Sequence, residues 1–314
     1  GLNCRQAIFI IYGCFGAVCF AKIVFLRDFT YLYDPKPRSL MKRFFTLVFA
    51  LTLFCAGLSA QTAAYRTDRN IAYRDAAGDG YADSLCRLDI CYPTDAKGFP
   101  TVVWFHGGGL TGGRREIPKA LCDKGFAVVG VDYRLAPRVK VADCVEDAAA
   151  AAAWVVRNIA SYGGDPRLIF IAGHSAGGYL TSMIGMDKRW MAPYGIDPDT
   201  AFAALIPYSG QVVTHFARRR EMGVPDTQVV VDDMAPLNHV RPDCPPVLIL
   251  SGDRELEMLG RYEENAYFWR MMRVAGHPDV RICEFDGFDH GNMPQAGHYV
   301  AVRYIRDRVK KLER

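Results

Sequence analysis

Residues 168–178 read LIFIAGHSAGG. The apolar run from Leu168 to Ala172 has the length and content of a buried strand, and it passes through Gly173-His174-Ser175-Ala176-Gly177 into a helical segment. That puts a G-x-S-x-G sequence on a tight strand-to-helix turn. Such a turn projects the serine hydroxyl off the sheet edge, and small residues two before and two after it avoid clashes that bulky side chains would cause. The helix beginning at Ala176 also aims its free amides and positive dipole end at the reacting oxygen. Five residues with three fixed positions make a weak pattern, which a Gly-rich turn could satisfy. Placement directly after a buried strand makes Ser175 a candidate nucleophile.

Working outward, strands and helices alternate along the chain. Arg87–Tyr92, Thr101–Phe105, Ala127–Val131, Ala203–Ile206, Val247–Leu250 and Val280–Phe285 read as further strands. Helices are predicted over Pro118–Lys124, Ala142–Ala160, from Ala176, and near Tyr262–Ala275 and Tyr299–Leu312, with an irregular stretch at Val212–Pro246. Strand, helix, strand in repetition calls for a mostly parallel sheet with helices on both faces, an α/β fold. No repeat or linker divides residues 61–314, so one domain is expected there.

Strand TVVWF leads into His106-Gly107-Gly108-Gly109. Adjacent glycines let backbone amides face a point where an oxyanion forms, and the expected donors are Gly108 and Gly109 with Ala176. A phosphate-cradling loop is the alternative for three glycines, but neither G-x-x-x-x-G-K-[ST] nor G-x-G-x-x-G accompanies them. His106 is expected to brace the loop through its ring.

Activation of Ser175 requires a base, and position selects among seven histidines. His290 lies in GFDHGNM, between the last strand and the last helix, at the carboxyl-end edge where Ser175 sits. His277 falls at the opposite end of that strand, and His298 near the final helix. His174 adjoins the serine, with its side chain expected to point away. For the acid, Ser251–Glu257 (SGDRELE) follows strand VLIL with three carboxylates. Asp253 would act from the strand end, Glu255 from the crest of the turn; either could stabilise His290 as it becomes cationic.

The chain has 314 residues and a formal charge of +4, but the first sixty hold seven Lys/Arg against two Asp/Glu. Residues 61–314 carry 31 basic and 32 acidic groups, a balance of −1, which removes the argument for a nucleic-acid partner. Residues 41–60, MKRFFTLVFALTLFCAGLSA, have the layout of a secretory signal: a Lys42-Arg43 head, an apolar centre and a small-x-small end at Leu58-Ser59-Ala60. Cleavage is expected before Gln61, giving a secreted or periplasmic protein. Leu53 and Phe54 before Cys55 disfavour a lipid anchor. Residues 1–40 are expected to be upstream sequence ahead of the start at Met41. The other reading of the apolar stretch Ala7–Phe25 is a membrane anchor, although Lys22 leaves it a little short of a bilayer span. Six cysteines follow residue 60, an even number that permits disulfides in an oxidising compartment. Cys86 and Cys91 should point to opposite faces of one strand and not pair. No C-x-x-C supports a zinc site.

Taken together, HGGG at 106–109, VDYRLAP at 131–137, GGDPRLIFIAGHSAGG at 163–178 and FDHGNM at 288–293 resemble the α/β-hydrolase superfamily, more narrowly the hormone-sensitive-lipase-like carboxylesterases. The resemblance implies an α/β-hydrolase fold and a serine carboxylesterase working through an acyl-enzyme, with no metal or organic cofactor. In such esterases the acid follows a G-x-x-D spacing; counted from Gly252 this is Glu255, which therefore leads over Asp253. Many members carry a helical cap before the first strand, but only 26 residues separate Gln61 from Arg87, so little or no cap is expected. Asp187–Pro198, with Trp190, Met191 and Tyr194, and Val212–Pro246 are the remaining candidate walls. An open site suits short acyl esters of larger alcohols, such as acetylated or feruloylated polysaccharides. The competing readings are an amidase or peptidase of the same fold and a non-catalytic carbohydrate-binding relative.

Overall fold

Short β-branched runs separated by helices assemble into an eight-stranded sheet in the computed structural model, which describes residues 9–15, 18–24, 64–75, 78–258 and 260–313. The chain divides into two compact units, 1–61 and 62–314. In the first, β1 (Phe9–Phe15) and β2 (Val18–Val24) form an antiparallel pair within the apolar stretch 7–25. The expected signal segment 41–60 and the remainder of residues 1–40 lie outside the described residues. Among the described residues, no helix is long and apolar enough to cross a membrane.

The second unit runs β3 (Tyr65–Ala72), α1 (Gly80–Leu85), β4 (Arg87–Pro93), β5 (Phe99–Phe105), β6 (Ala127–Val131), α2 (Val141–Tyr162), β7 (Gly164–His174), α3 (Ala176–Met186), α4 (Pro198–Ala201), β8 (Ala204–Tyr208), α5 (Phe216–Glu221), β9 (Val247–Gly252), α6 (Arg261–Val274), β10 (Val280–Phe285) and α7 (Met293–Leu312). The sheet order is β10-β9-β8-β7-β5-β6-β4-β3. β5 through β10 are mutually parallel, and β4 runs antiparallel to both β3 and β6. Between Ala64 and Arg87 the chain forms β3 and the single short helix α1, which leaves no cap before β4 among the described residues.

Both faces of the sheet are buried, which is why its strands are continuous apolar runs rather than alternating ones. Val103, Phe105, Ile169, Ile171 and Ile249 pack on one side with α2, α3 and Phe268 of α6. Val102, Trp104, Phe170, Ile206 and Leu248 pack on the other with Ala301, Val302 and Ile305 of α7. The alanine run Ala148–Ala153 of α2 is buried throughout. Small side chains there let the helix axis approach the sheet closely.

Three boundaries differ from expectation for identifiable reasons. α7 begins at Met293, six residues before Tyr299: Pro294 stands in the first turn, where a missing N–H costs nothing, and Gly297 is needed because a Cβ there would come within 2.7 Å of the Tyr208 ring. The helix expected over Pro118–Lys124 shrinks to a 3-10 turn at Lys119–Leu121, ended by extended Cys122 and left-handed Asp123. The stretch Val212–Pro246, expected to be irregular, holds α5 and a 3-10 turn at Pro236–His239.

Candidate active site

The carboxyl ends of β5, β7, β8, β9 and β10 open on one edge of the sheet, and each delivers part of the site. At the end of β7, Ser175 has φ 56° and ψ −114°, a left-handed-side conformation unusual for a residue with a side chain. Holding it costs on the order of 1–3 kcal/mol, offset by the packing around the turn. The turn is this tight because Gly177 lies against β5: a Cβ there would fall 2.0 Å from the Phe105 carbonyl oxygen. The Ser175 N–H donates to the Tyr208 carbonyl of β8 at 2.8 Å, which ties the turn to the neighbouring strand.

Ser175 Oγ is 2.9 Å from His290 Nε2, and His290 Nδ1 is 2.8 Å from Glu257 Oε2. The sequence-level assignment of Glu255, with Asp253 as rival, is corrected: the structure sets Glu257 against the imidazole and leaves both others away from it. After Gly252 ends β9, the chain coils through one turn in which the Glu257 N–H donates to the Asp253 carbonyl at 2.8 Å. One turn returns Glu257 over the strand end, where Oε1 accepts from the Gly252 N–H at 3.1 Å. Glu255, at the crest of that turn, is exposed to solvent. Asp253 is a turn-former, accepting from the Glu255 N–H and the Gly287 N–H at 2.8 Å each. These bonds from Gly287 and Glu255 hold its carboxyl below the usual range. Glu257 was within the string read from sequence, but a turn that closes five residues beyond Gly252 carries no signature in residue type.

Glu257 is 7% exposed and fully used. Besides His290 and Gly252, Ser209 Oγ donates to Oε1 and the Met258 N–H to Oε2. Burial opposes its charge, but the hydrogen bonds from His290 and Ser209, the His290 charge and the Gly252 amide outweigh that and hold its pKa at about 2. It is therefore an anion at any pH where His290 could act as a base.

The loop after β5 is braced from below. His106 stacks on Tyr133 at 4.4 Å with planes 9° apart, its Nδ1 lies 2.6 Å from the Gly107 carbonyl, and the Tyr133 hydroxyl donates to the His106 carbonyl at 2.9 Å. This is the bracing role expected of His106. Gly108 and Gly109 are solvent-exposed with φ 114° and 65°. A Cβ on Gly107 would be 3.4 Å from Ser175 Cβ, so the loop runs directly beside the nucleophile. Ala176 opens α3, so its N–H has no partner within the helix.

One further expectation is corrected. The His174 ring does not point away: its Nε2–H donates to the His290 carbonyl at 2.8 Å, and the two rings lie 4.8 Å apart. The extended end of β7 directs it toward the loop after β10. Burial, then the neighbouring His290, push its pKa down to about 4, so it is a neutral donor at working pH. Asp187–Pro198, the first candidate wall, starts at the carboxyl end of α3 with Met191 buried in the core, and Arg189 Nη1 donates to Asp233 Oδ2 at 2.8 Å. The segment from Val212 does approach the site. The Tyr179 hydroxyl, one turn past Ser175, donates to the Met234 carbonyl at 2.9 Å, and Glu264 on α6 accepts from the Val212 and Val213 N–H groups at 3.1 Å each. His277 bonds the Cys244 carbonyl and His298 faces Tyr208, both away from Ser175. Cys86, Cys91, Cys122, Cys144, Cys244 and Cys283 are free thiols. Among the described residues, no cluster of His, Cys, Asp and Glu could hold a metal ion.

The fold is the α/β-hydrolase fold, carrying a serine, a histidine and a glutamate in hydrogen-bonded series at the carboxyl edge of its sheet. The family model described as BD-FAE matches residues 88–203. By sequence the chain is similar to the "Probable carboxylic ester hydrolase LipM" of Mycobacterium tuberculosis, 29% identical over 69% of this chain and 54% of the relative. It thus spans about half the length of the curated relatives it matches. Among solved structures it is similar to apo esterase 2 of Thermogutta terrifontis, 26% identical with a TM-score of 0.59, over 79% of this chain and 95% of that one. A truncated carbohydrate esterase from gut microbiota shares the fold, with a TM-score of 0.64 at 19% identity over 79% of this chain and 97% of that one.

Proposed function

We propose that this protein is a serine carboxylesterase. The observation that carries the reading is the unbroken series from Ser175 Oγ through His290 to Glu257, with distances of 2.9 and 2.8 Å, on a strained strand-to-helix turn. His290 takes the Ser175 proton as Oγ attacks the ester carbonyl, and Glu257 stabilises the imidazolium. Gly108, Gly109 and Ala176 supply the N–H groups that receive the oxyanion. His290 returns the proton to the leaving alcohol, and water then releases the acid from the acyl-enzyme by the same route in reverse. No metal or organic cofactor enters this sequence.

The substrate in this reading is a short-acyl ester on a larger alcohol, of which acetylated or feruloylated polysaccharides are examples. Among the described residues no cap stands before β4, and this together with the exposure of Gly108 and Gly109 favours access by a bulky alcohol. Cleavage before Gln61 after export remains part of the proposal, and the N-terminal mass of the processed protein tests it.

The decisive experiment combines a fluorophosphonate probe with an ester panel of increasing acyl length that includes acetylated xylan and a peptide amide. Labelling that disappears in Ser175→Ala and preference for acetyl or butyryl esters are expected. A folded protein that is neither labelled nor active on any ester would overturn the reading, and preference for the amide would replace it with an amidase.

A further inference from the structure

Ser209 lies just beyond β8, between the nucleophile and the acid. We propose that it is a positioning residue for the proposed hydrolysis, holding the Glu257 carboxylate in register with His290; this rests on the esterase reading above. Ser209 is fully buried and has φ 44°, a region that disfavours any residue with a Cβ. Were the backbone path alone important here, glycine would meet it without strain, as it does elsewhere in this chain. What serine adds is a hydroxyl, and that hydroxyl donates to Glu257 Oε1.

Every other bond of Ser209 fixes where the hydroxyl sits. Its N–H donates to the Leu250 carbonyl of β9 at 2.7 Å, and its carbonyl accepts from buried Arg261 Nη1 at 2.5 Å. The preceding carbonyl, Tyr208 O, is the one that accepts the Ser175 N–H at 2.8 Å. The Tyr208–Ser209 step therefore grips the nucleophile turn with its backbone and the acid with its side chain. A carboxylate held through Oε1 by Ser209 and Gly252 cannot swing about its last bond, which keeps Oε2 directed at His290 Nδ1.

Removing the hydroxyl should lower kcat by about 10- to 100-fold, the range for a hydrogen bond to a charged group, with KM within twofold. The variants are Ser209→Gly, which also relaxes the backbone, and Ser209→Ala, which keeps the Cβ. Because Ser209→Gly relieves the backbone that Ser209→Ala leaves strained, its melting temperature should be the higher of the two while kcat falls alike in both, a split that a merely structural serine does not produce. A double-mutant cycle supplies the second readout: in a Glu257→Gln background, Ser209→Gly should have little further effect on kcat. Retention of kcat within twofold in a folded variant, or fully additive losses in the cycle, would overturn the inference. Failure of the esterase reading is distinguishable, because the unmodified protein would then neither hydrolyse esters nor react with the fluorophosphonate.

Discussion

Replacing Glu257 by Gln tests the arrangement at its most specific point. The side chain keeps its shape, but the anion 2.8 Å from His290 Nδ1 is lost, and the amide can offer an N–H where an acceptor is needed. Unit charges about 4 Å apart in a surrounding of effective dielectric near 20 attract by about 4 kcal/mol, which alone corresponds to roughly a thousandfold in rate. Loss of the correct imidazole tautomer extends the expected fall in kcat to about 10³–10⁴-fold. KM should change by less than about threefold, since Glu257 lies behind His290. The assay is hydrolysis of p-nitrophenyl acetate, with active-site concentration taken from the pre-steady-state burst. Glu255→Gln should stay within about twofold of the unmodified protein, because that side chain stands in solvent at the turn crest. If Glu255→Gln or Asp253→Asn collapses kcat while Glu257→Gln retains it, the geometric argument is wrong.

Acid stability should carry the mark of the same carboxylate. A Glu257 pKa lowered from 4.5 to about 2 contributes stability that is complete above pH 4.5 and disappears as pH falls toward 2, up to about 3 kcal/mol. Urea midpoints between pH 5 and 2 should fall more steeply for the unmodified protein than for Glu257→Gln; parallel curves would contradict the assignment. Asp147, fully buried on α2, accepts from the Arg134 N–H, Nε and Nη2 at 3.0, 2.8 and 2.9 Å and from Arg74 Nη1 at 2.5 Å. Asp147→Ala removes the buried partner of both guanidiniums, leaving Arg134 the longer pair to Asp79 at 3.9 Å, and should cost roughly 3 kcal/mol, about 6–12 °C in melting temperature by calorimetry. His174→Ala releases the His290 carbonyl and should lower kcat about tenfold through a loosened base loop, whereas His174→Gln, which restores an N–H donor, should recover most of it. Equal losses in the two variants would remove the hydrogen bond as the cause.

The parts of the site that were legible in sequence are those set by local backbone demands. Gly173 and Gly177 announce the Ser175 turn because only small residues fit against β5, and the apolar runs announce strands buried on both faces. His290 was legible by position, since parallel strands bring their following loops to one edge. The partners that misled are those chosen by the path of a loop. Glu255 and Glu257 are alike in residue type and two positions apart, and one turn of chain sends the first to solvent and the second into the site. His174 likewise reads as a bystander until the loop after β10 is in place to receive its N–H.

The sequence by itself determined the α/β alternation, the nucleophile turn and the glycine loop beside it, because each depends on neighbours within a few residues. Only the tertiary structure decided which carboxylate completes the series and that Ser209 holds it. Those relations join residues up to 33 positions apart in the Glu257–His290 pair and 115 in the Ser175–His290 pair. They arise from sheet order and loop closure, which no local pattern of residues encodes.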